Sequence, residues 1–289
     1  MQMITYLDII YPCFFTIFRS VILALSKKVD KGSAPKAEAV LHKMCQIKDP
    51  QISPDTSLYH MVIHMYSKNR DVNAPQRAEA LLNEMHVAFV NGNIFVKPNT
   101  ITFNTVINTY AKSISQGSAD RAEYILQRMQ DLYHHGNPDV EPDTVTFNSV
   151  INAHANTRAG GSAIRGFAIL NKMNELYQNG SIKNGKPNTR TYNACLKACY
   201  YSSDVASKEE SAQNFDMAYT LLWQIHNYAD LQADEYSYIW FFKAYQSNYC
   251  EETKGYQVLQ EAFNMCHEDG LFSKRVLKEV HLIIRHGKY

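Results

Sequence analysis

The sequence predicts an all-α chain, folded as an α-solenoid of about six helix-turn-helix repeats that form a right-handed superhelix. Three strings align without a gap: PNTITFNTVINTYAKS, PDTVTFNSVINAHANT and PNTRTYNACLKACYYS. Their aromatic residues, Phe103, Phe147 and Tyr192, recur every 44 or 45 residues. Self-similarity at a fixed period of this length is typical of stacked two-helix units.

Weaker copies extend the array on both sides. Tyr59, Phe18 and Tyr238 stand at the same phase in SPDTSLYHMVIHMYSK, TIFRSVILALSK and DEYSYIWFFKAY. The strings predict one array over residues 15–286, with repeats near 15–55, 56–99, 100–143, 144–188, 189–234 and 235–273 and a closing helix at 274–286. Residues 1–14 precede it as an apolar segment, either a ragged start or a targeting segment.

Each repeat begins with a helix that we call helix A. In the third repeat Phe103, Val106, Ile107 and Tyr110 fall at i, i+3, i+4 and i+7, which is the apolar stripe of an amphipathic helix. The preceding Pro-Asn-Thr or Pro-Asp-Thr supplies an Asx side chain that can cap the helix.

Each repeat ends with a second amphipathic helix, helix B. Its stripe in the third repeat is Ala122, Ile125, Leu126 and Met129. A glycine follows the corresponding Met by seven residues in three repeats, where a left-handed residue can end the helix. These glycines are Gly92, Gly136 and Gly180. We also expect a long turn at 204–213 between the two helices of the fifth repeat.

Composition gives no electrostatic indication of a nucleic-acid partner, because Lys plus Arg total 29 against 28 Asp plus Glu, a net charge of +1. Six cysteines without a CxxC pair suit a reducing compartment. The apolar stretch from Ile4 to Leu25 is interrupted by Asp8, Pro12 and Arg19. This favours a first helix of the array over a signal peptide or membrane span, so no membrane partner is expected.

Catalytic constellations are missing from the sequence. His60 and His64 stand one turn apart without a third metal ligand, and Cys195 and Cys199 lie among small apolar residues. Neither a Gly-rich phosphate loop nor a deaminase-like H-x-E with P-C-x-x-C occurs. We therefore expect no enzyme, no metal site, no cofactor and no small-molecule substrate.

Helix A with x-x-T-[FY]-N-[ST]-V-I-N, helix B with A-x-x-[IL]-L-x-x-M and a Pro-Asx pair closing the unit resemble the pentatricopeptide repeat over nearly the whole chain from Phe15. The repeats are longer than the family's usual unit. The resemblance implies sequence-selective binding of single-stranded RNA, one base per repeat, in organellar RNA processing, stability or translation. It also implies a mitochondrial or plastid location, with the cytoplasm as the alternative, and a catalytic or processing protein as a further partner.

The resemblance assigns base-specifying roles. In the family, the residue after the helix A aromatic and the last residue of the same repeat act as a pair. The pairs here are Arg19 with Asp55, His60 with Asn99, Asn104 with Asp143, Asn148 with Asn188, and Asn193 with Asp234, followed by Ile239 with roughly Ser273. The three Asn-led pairs resemble pairs that read uracil, cytosine or uracil, and uracil, which implies 5′-U-[C/U]-U-3′.

An amide can in principle meet the Watson–Crick edge of a pyrimidine, because it carries both donors and an acceptor. The alternative for Asn104, Asn148 and Asn193 is a solvated helix position. For the partner residues at the repeat ends the alternative is a helix N-cap, which can coexist with recognition.

Two further sets of residues receive roles from the resemblance. Base stacking is assigned to Ile101, Val145, Arg190 and Tyr236, for which buried packing is the alternative. Phosphate contact is assigned to Lys27, Lys68 and Lys112, for which a solvated lysine near a helix end is the alternative.

A second function class is a protein-binding helical scaffold of the tetratricopeptide kind, without nucleic-acid contact. The near-neutral charge favours it. The recurring Asn and Pro-Asx phase opposes it, and the tryptophan, Leu-Gly and Tyr landmarks of that repeat are missing.

Overall fold

The computed structural model describes residues 6–28, 30, 32–47, 49, 51–69, 71–203, 205–248 and 252–285, and residues 1–5 and 286 of the predicted segments lie outside them. No strand occurs in this described part, which confirms the all-α prediction. The helices are α1 Tyr6–Ser26, α2 Ser33–Ile47, α3 Thr56–Lys68, α4 Ala74–Val90, α5 Thr100–Lys112, α6 Ser118–His134, a 3₁₀ helix Pro138–Val140, α7 Thr144–Thr157, α8 Ser162–Gln178, α9 Thr189–Ser202, α10 Lys208–Asn227, α11 Glu235–Asn248, α12 Glu252–Glu268 and α13 Lys274–Arg285.

The odd-numbered helices up to α11 are the predicted A helices, and the even-numbered ones are the B helices. The repeat starts expected at Thr56, Thr100, Thr144, Thr189 and Glu235 coincide with the first residues of α3, α5, α7, α9 and α11. At the N-terminal end α1 begins at Tyr6, upstream of the array start expected at Phe15. The turn expected at 204–213 is shorter than predicted, because α10 begins at Lys208 behind the N-cap Ser207.

The starts of the A helices are fixed by local chemistry. Asp55, Asn99, Asp143 and Asn188 each accept a hydrogen bond from a backbone N–H in the first turn, at 2.8 to 3.2 Å. Each satisfies an amide that the helix itself leaves without a partner. The predicted capping is therefore confirmed at these helices.

The three glycines after helix B adopt the left-handed backbone expected of them. The φ angles of Gly92, Gly136 and Gly180 are 96°, 90° and 75°. Residues other than glycine rarely adopt this backbone conformation, so glycine can end α4, α6 and α8 with little conformational strain.

Threonine at the first position of an A helix holds the loop that ends the same repeat. The Thr56 hydroxyl donates to the carbonyls of Phe95 and Lys97 at 3.0 and 3.2 Å, and its backbone N–H donates to Phe95 at 2.9 Å. Thr100 and Thr189 make corresponding bonds to loop carbonyls at 3.1 and 2.7 Å. The chain thus returns at the end of a repeat to the point where that repeat began.

The chain divides into two compact units, one made of residues 1–113 and 129–140 and the other of 114–128 and 141–289. In the first, α3 packs against α1, α2, α4 and α5; in the second, α9 packs against α7, α8, α10 and α11. The in-phase aromatics Tyr59, Phe103, Phe147, Tyr192 and Tyr238 are all buried. Among the helices in the described ranges, none combines the length and apolarity that crossing a membrane requires.

Buried polar contacts connect an A helix to the B helix of the repeat before it. The Tyr66 hydroxyl of α3 donates to Glu38 Oε2 of α2, and Arg77 Nη2 lies 2.8 Å from Glu38 Oε1. The Tyr110 hydroxyl of α5 likewise donates to Glu79 Oε2 of α4 at 2.6 Å. Since these carboxylates are buried, each contact satisfies a group that would be costly to leave alone.

Candidate nucleic-acid interface

The A helices α3, α5, α7 and α9 carry polar side chains at i, i+4 and i+8, which places them on one face of each helix. We call this set the polar row. Its members in the first unit are His60, His64 and Lys68 on α3 and Asn104, Asn108 and Lys112 on α5. Its members in the second unit are Asn148, Asn152 and Asn156 on α7 and Asn193, Lys197 and Tyr201 on α9.

In the second unit, hydrogen bonds join the polar row of one A helix to that of the next. Lys197 Nζ of α9 donates to Asn156 Oδ1 at 2.7 Å and lies 3.4 Å from Asn152 Oδ1, both on α7. Burial lowers the pKa of Lys197. The amides therefore hold an ammonium that water reaches only in part.

Asn193 is hydrogen-bonded to Asp234, the residue with which the resemblance groups it. Its Nδ2 donates to Asp234 Oδ1 at 2.9 Å. The same carboxylate oxygen caps α11 by accepting from the Ser237 N–H at 3.0 Å. The Asp234 carboxylate thus both caps α11 and orients the Asn193 amide.

The three helix A amides differ in how far they are exposed to solvent. Asn193 is 8% exposed, and Asn104 and Asn148 are half-buried. The Oδ1 atoms of Asn148 and Asn193 are buried and have no hydrogen-bond partner in the described part of the chain. A buried acceptor without a donor is costly and uncommon in proteins, so a ligand N–H that reached it would add stability.

Other predicted pairs within one unit are not joined directly. In the described ranges no hydrogen bond links Asn148 with Asn188, or His60 with Asn99. Arg19, which is exposed on α1, is likewise not hydrogen-bonded to Asp55. Ile239 at the same phase of α11 is buried and belongs to the core.

The histidines of α3 form a stacked pair in the first unit. The His60 and His64 ring centroids are 6.2 Å apart with planes at 15°. Burial lowers the pKa of both, and Lys68 and Lys112 lower that of His64 further. Lys112 Nζ also donates to the carbonyl of Ser67 at 3.1 Å. These surroundings favour the neutral form of both rings, in which each has one donor and one acceptor.

The residues assigned to base stacking all lie on the surface. Ile101 is 61% exposed, Val145 56% and Tyr236 46%, and Arg190 is exposed as well. Buried packing is therefore excluded as their role. Arg275 lies with its guanidinium carbon 5.1 Å from the Tyr236 ring centroid, so this ring already has a planar cation on it.

The residues assigned to phosphate contact lie at the C-terminal ends of A helices. Lys68 and Lys112 are the last residues of α3 and α5, and Lys27 is one residue beyond the end of α1. All three are exposed.

Sequence reasoning missed three amides in the second and third positions of the polar row. Asn108, Asn152 and Asn156 follow Asn104 and Asn148 at helical spacing, and that spacing alone would have indicated them. It also missed the aromatic residues Tyr200 and Trp240, whose proximity depends on how α9 and α11 pack. Among the described residues, no group of three or more His, Cys, Asp or Glu is placed to hold a metal ion.

Comparison with known proteins assigns part of the chain. The model of the pentatricopeptide repeat domain matches residues 96–157, a range that contains α5, α6 and α7. No curated protein matches the chain. Pentatricopeptide repeats generally bind RNA and are typically non-catalytic. Residues 96–157 are accordingly similar to the pentatricopeptide repeat domain, within an all-α chain.

Proposed function

We propose that this protein binds single-stranded RNA selectively, with its polar row along the nucleotide strand and one base per repeat. The observation that carries the proposal is the hydrogen bond from Asn193 to Asp234, together with the unpartnered Oδ1 of the same amide. Two residues that are 41 positions apart meet at the site where the resemblance requires a pair.

The hydrogen bond between Asn193 and Asp234 gives a physical reason for a preference for uracil over cytosine. Since the carboxylate of Asp234 only accepts, it holds the Nδ2 side of Asn193 toward itself and turns Oδ1 away. An acceptor in that place can receive the N3–H of uracil, whereas N3 of cytosine is itself an acceptor and would face it without a proton. The oxygen is covered in the free chain, so binding must move the side chains that cover it.

The neighbouring pair is less restrictive. Asn188 stands where Asp234 stands in the next repeat, and an amide can both donate and accept. The Asn148 amide can therefore turn either way, which allows cytosine as well as uracil. Together with Asn104 and Asp143, this supports a central preference of 5′-U-[C/U]-U-3′.

We also propose that contacts between lysines and phosphates contribute to the affinity for RNA. Lys27, Lys68 and Lys112 are exposed at the ends of their helices, where ammonium groups can reach phosphates. The exposed Ile101 and Val145 supply surfaces on which bases can stack. The resemblance further suggests a mitochondrial or plastid transcript as target and a separate protein for any RNA cleavage or editing.

The test is a filter-binding titration with U-rich and A-rich single strands at two salt concentrations. We expect tighter binding of the U-rich strand and weaker binding at higher salt. Exchanging Asn104 and Asn193 for Thr should move the preference toward purine. Asn171→Thr, at an exposed position of α8, is the matched control and should leave it unchanged.

A protein-binding scaffold is the second candidate, and the near-neutral net charge of +1 favours it. It predicts that neither strand binds at physiological salt. An unchanged base preference in the Asn104 and Asn193 double variant would remove the coding argument but leave general RNA binding in place.

A further inference from the structure

Three aromatic rings meet in the second unit, next to the polar row. The Tyr200 and Tyr201 ring centroids are 4.9 Å apart, and the Trp240 ring of α11 lies 6.0 Å from Tyr200 and 5.8 Å from Tyr201. The three side chains are half-buried rather than enclosed in the core. Tyr201 is itself the third member of the row on α9, after Asn193 and Lys197.

Three cations lie against these rings. The Arg158 guanidinium carbon is 4.5 Å from the Tyr201 centroid, and Lys197 Nζ is 5.7 Å from it. Lys243 Nζ lies 5.2 Å from the Trp240 centroid and 5.6 Å from that of Tyr200. We call these six residues the ring–cation cluster.

One of the three cations has a carboxylate partner. Glu279 lies 4.0 Å from Lys243, at the limit of an ion pair. Glu210 accepts the backbone N–H of Gly161, close in sequence to Arg158. In the described ranges neither Arg158 nor Lys197 forms an ion pair with a carboxylate. The cluster therefore has an excess of positive charge.

We propose that the ring–cation cluster is an additional nucleotide-binding subsite, in which an unpaired base stacks on the rings and the cations bind its phosphate. This rests on the proposed RNA-binding function, and it extends the contact beyond one amide pair per repeat. Aromatic rings beside a positively charged track are the combination that holds single strands without reading their sequence. An acidic peptide would use the cations but would gain nothing from the three rings.

The position of the cluster supports the same strand. Lys197 belongs both to the cluster and to the hydrogen-bonded row through Asn152 and Asn156. A strand whose bases meet Asn148 and Asn193 therefore lies beside a group that touches Tyr201. The subsite adds affinity without adding sequence selectivity, because every base has a ring face.

The chain offers a direct optical test, since it has two tryptophans. Trp223 is exposed on α10, so Trp223→Phe leaves Trp240 as the sole tryptophan at small structural cost. We expect oligouridylate to quench the fluorescence of Trp240. An abasic ribose-phosphate oligomer of the same length and polyglutamate should not quench it. Equal quenching by either of these would overturn the proposal in favour of a general anion or acidic-peptide site.

Affinity measurements complete the test. Tyr201→Leu should weaken oligouridylate binding about tenfold. The matched control is Tyr124→Leu on α6, because Arg121 lies over that exposed ring at the same 4.5 Å but outside the row. One outcome is that oligouridylate binds on the filter while Tyr201→Leu behaves like the control and Trp240 is not quenched. In that case the proposed subsite is wrong and the proposed function stands. If oligouridylate does not bind at all, both fail.

Discussion

Replacing Tyr66 by Phe isolates one buried hydrogen bond between consecutive repeats. Glu38 is 3% exposed and receives the Tyr66 hydroxyl on Oε2, while Arg77 reaches both carboxylate oxygens at 2.8 and 3.2 Å. Phe keeps the ring, so almost no cavity is created. A hydrogen bond to a charged group contributes about 1.5 to 3 kcal/mol, and the lower end is expected because Arg77 remains.

The assay is urea unfolding followed by far-UV circular dichroism, with the midpoint as readout because repeat arrays need not unfold in one step. Tyr124→Phe is the control, since that ring is 52% exposed. A double-mutant cycle with Glu38→Gln should give a coupling free energy of about 1 kcal/mol. The reasoning is refuted if Tyr66→Phe shifts the midpoint no more than Tyr124→Phe does.

Two other predictions concern charge. Lys112→Gln should reduce the slope of log affinity against log salt by about 0.7, the value for one phosphate contact on a single strand, whereas Lys278→Gln on α13 should not change it. Burial lowers the pKa of His154 below its ordinary 6.5, although Glu123 at 3.1 Å opposes the shift. The folded state therefore binds fewer protons than the unfolded state. Above about pH 6.5 the neutral imidazole costs no stability, and below it the free energy of unfolding falls. His154→Gln should flatten that decline in urea midpoints measured between pH 7.5 and 5; parallel curves for the two proteins would contradict the assignment.

Local patterns in the sequence predicted most helix boundaries. Each Pro-Asx-Thr string combines a residue that ends the preceding element with one that caps the next, and Thr100, Thr144 and Thr189 begin their helices as expected. The start of α10 was predicted too late. Ser207 and Glu210 form an S-x-x-E string, a helix start signal that indicates the observed boundary at Lys208.

The candidate site was predictable only in part, because its geometry depends on contacts between residues far apart in sequence. The recurrence of Asn104, Asn148 and Asn193 indicated the face of helix A. It could not indicate that Asn193 is nearly buried or that its amide meets Asp234, since both depend on how α9 and α11 pack. The same holds for Trp240, whose ring contacts come from a neighbouring helix.

The threonine bonds at the starts of helix A separate the length of a repeat from the position of its polar face. Thr56 holds a carbonyl 39 residues later, and Thr189 holds one 43 residues later. Residues inserted between these anchoring points lengthen helix B or its loop, while the first turn of the following helix A stays where the threonine fixes it. A repeat can therefore be lengthened in helix B or its loop without moving the start of the next helix A away from the threonine that anchors that loop.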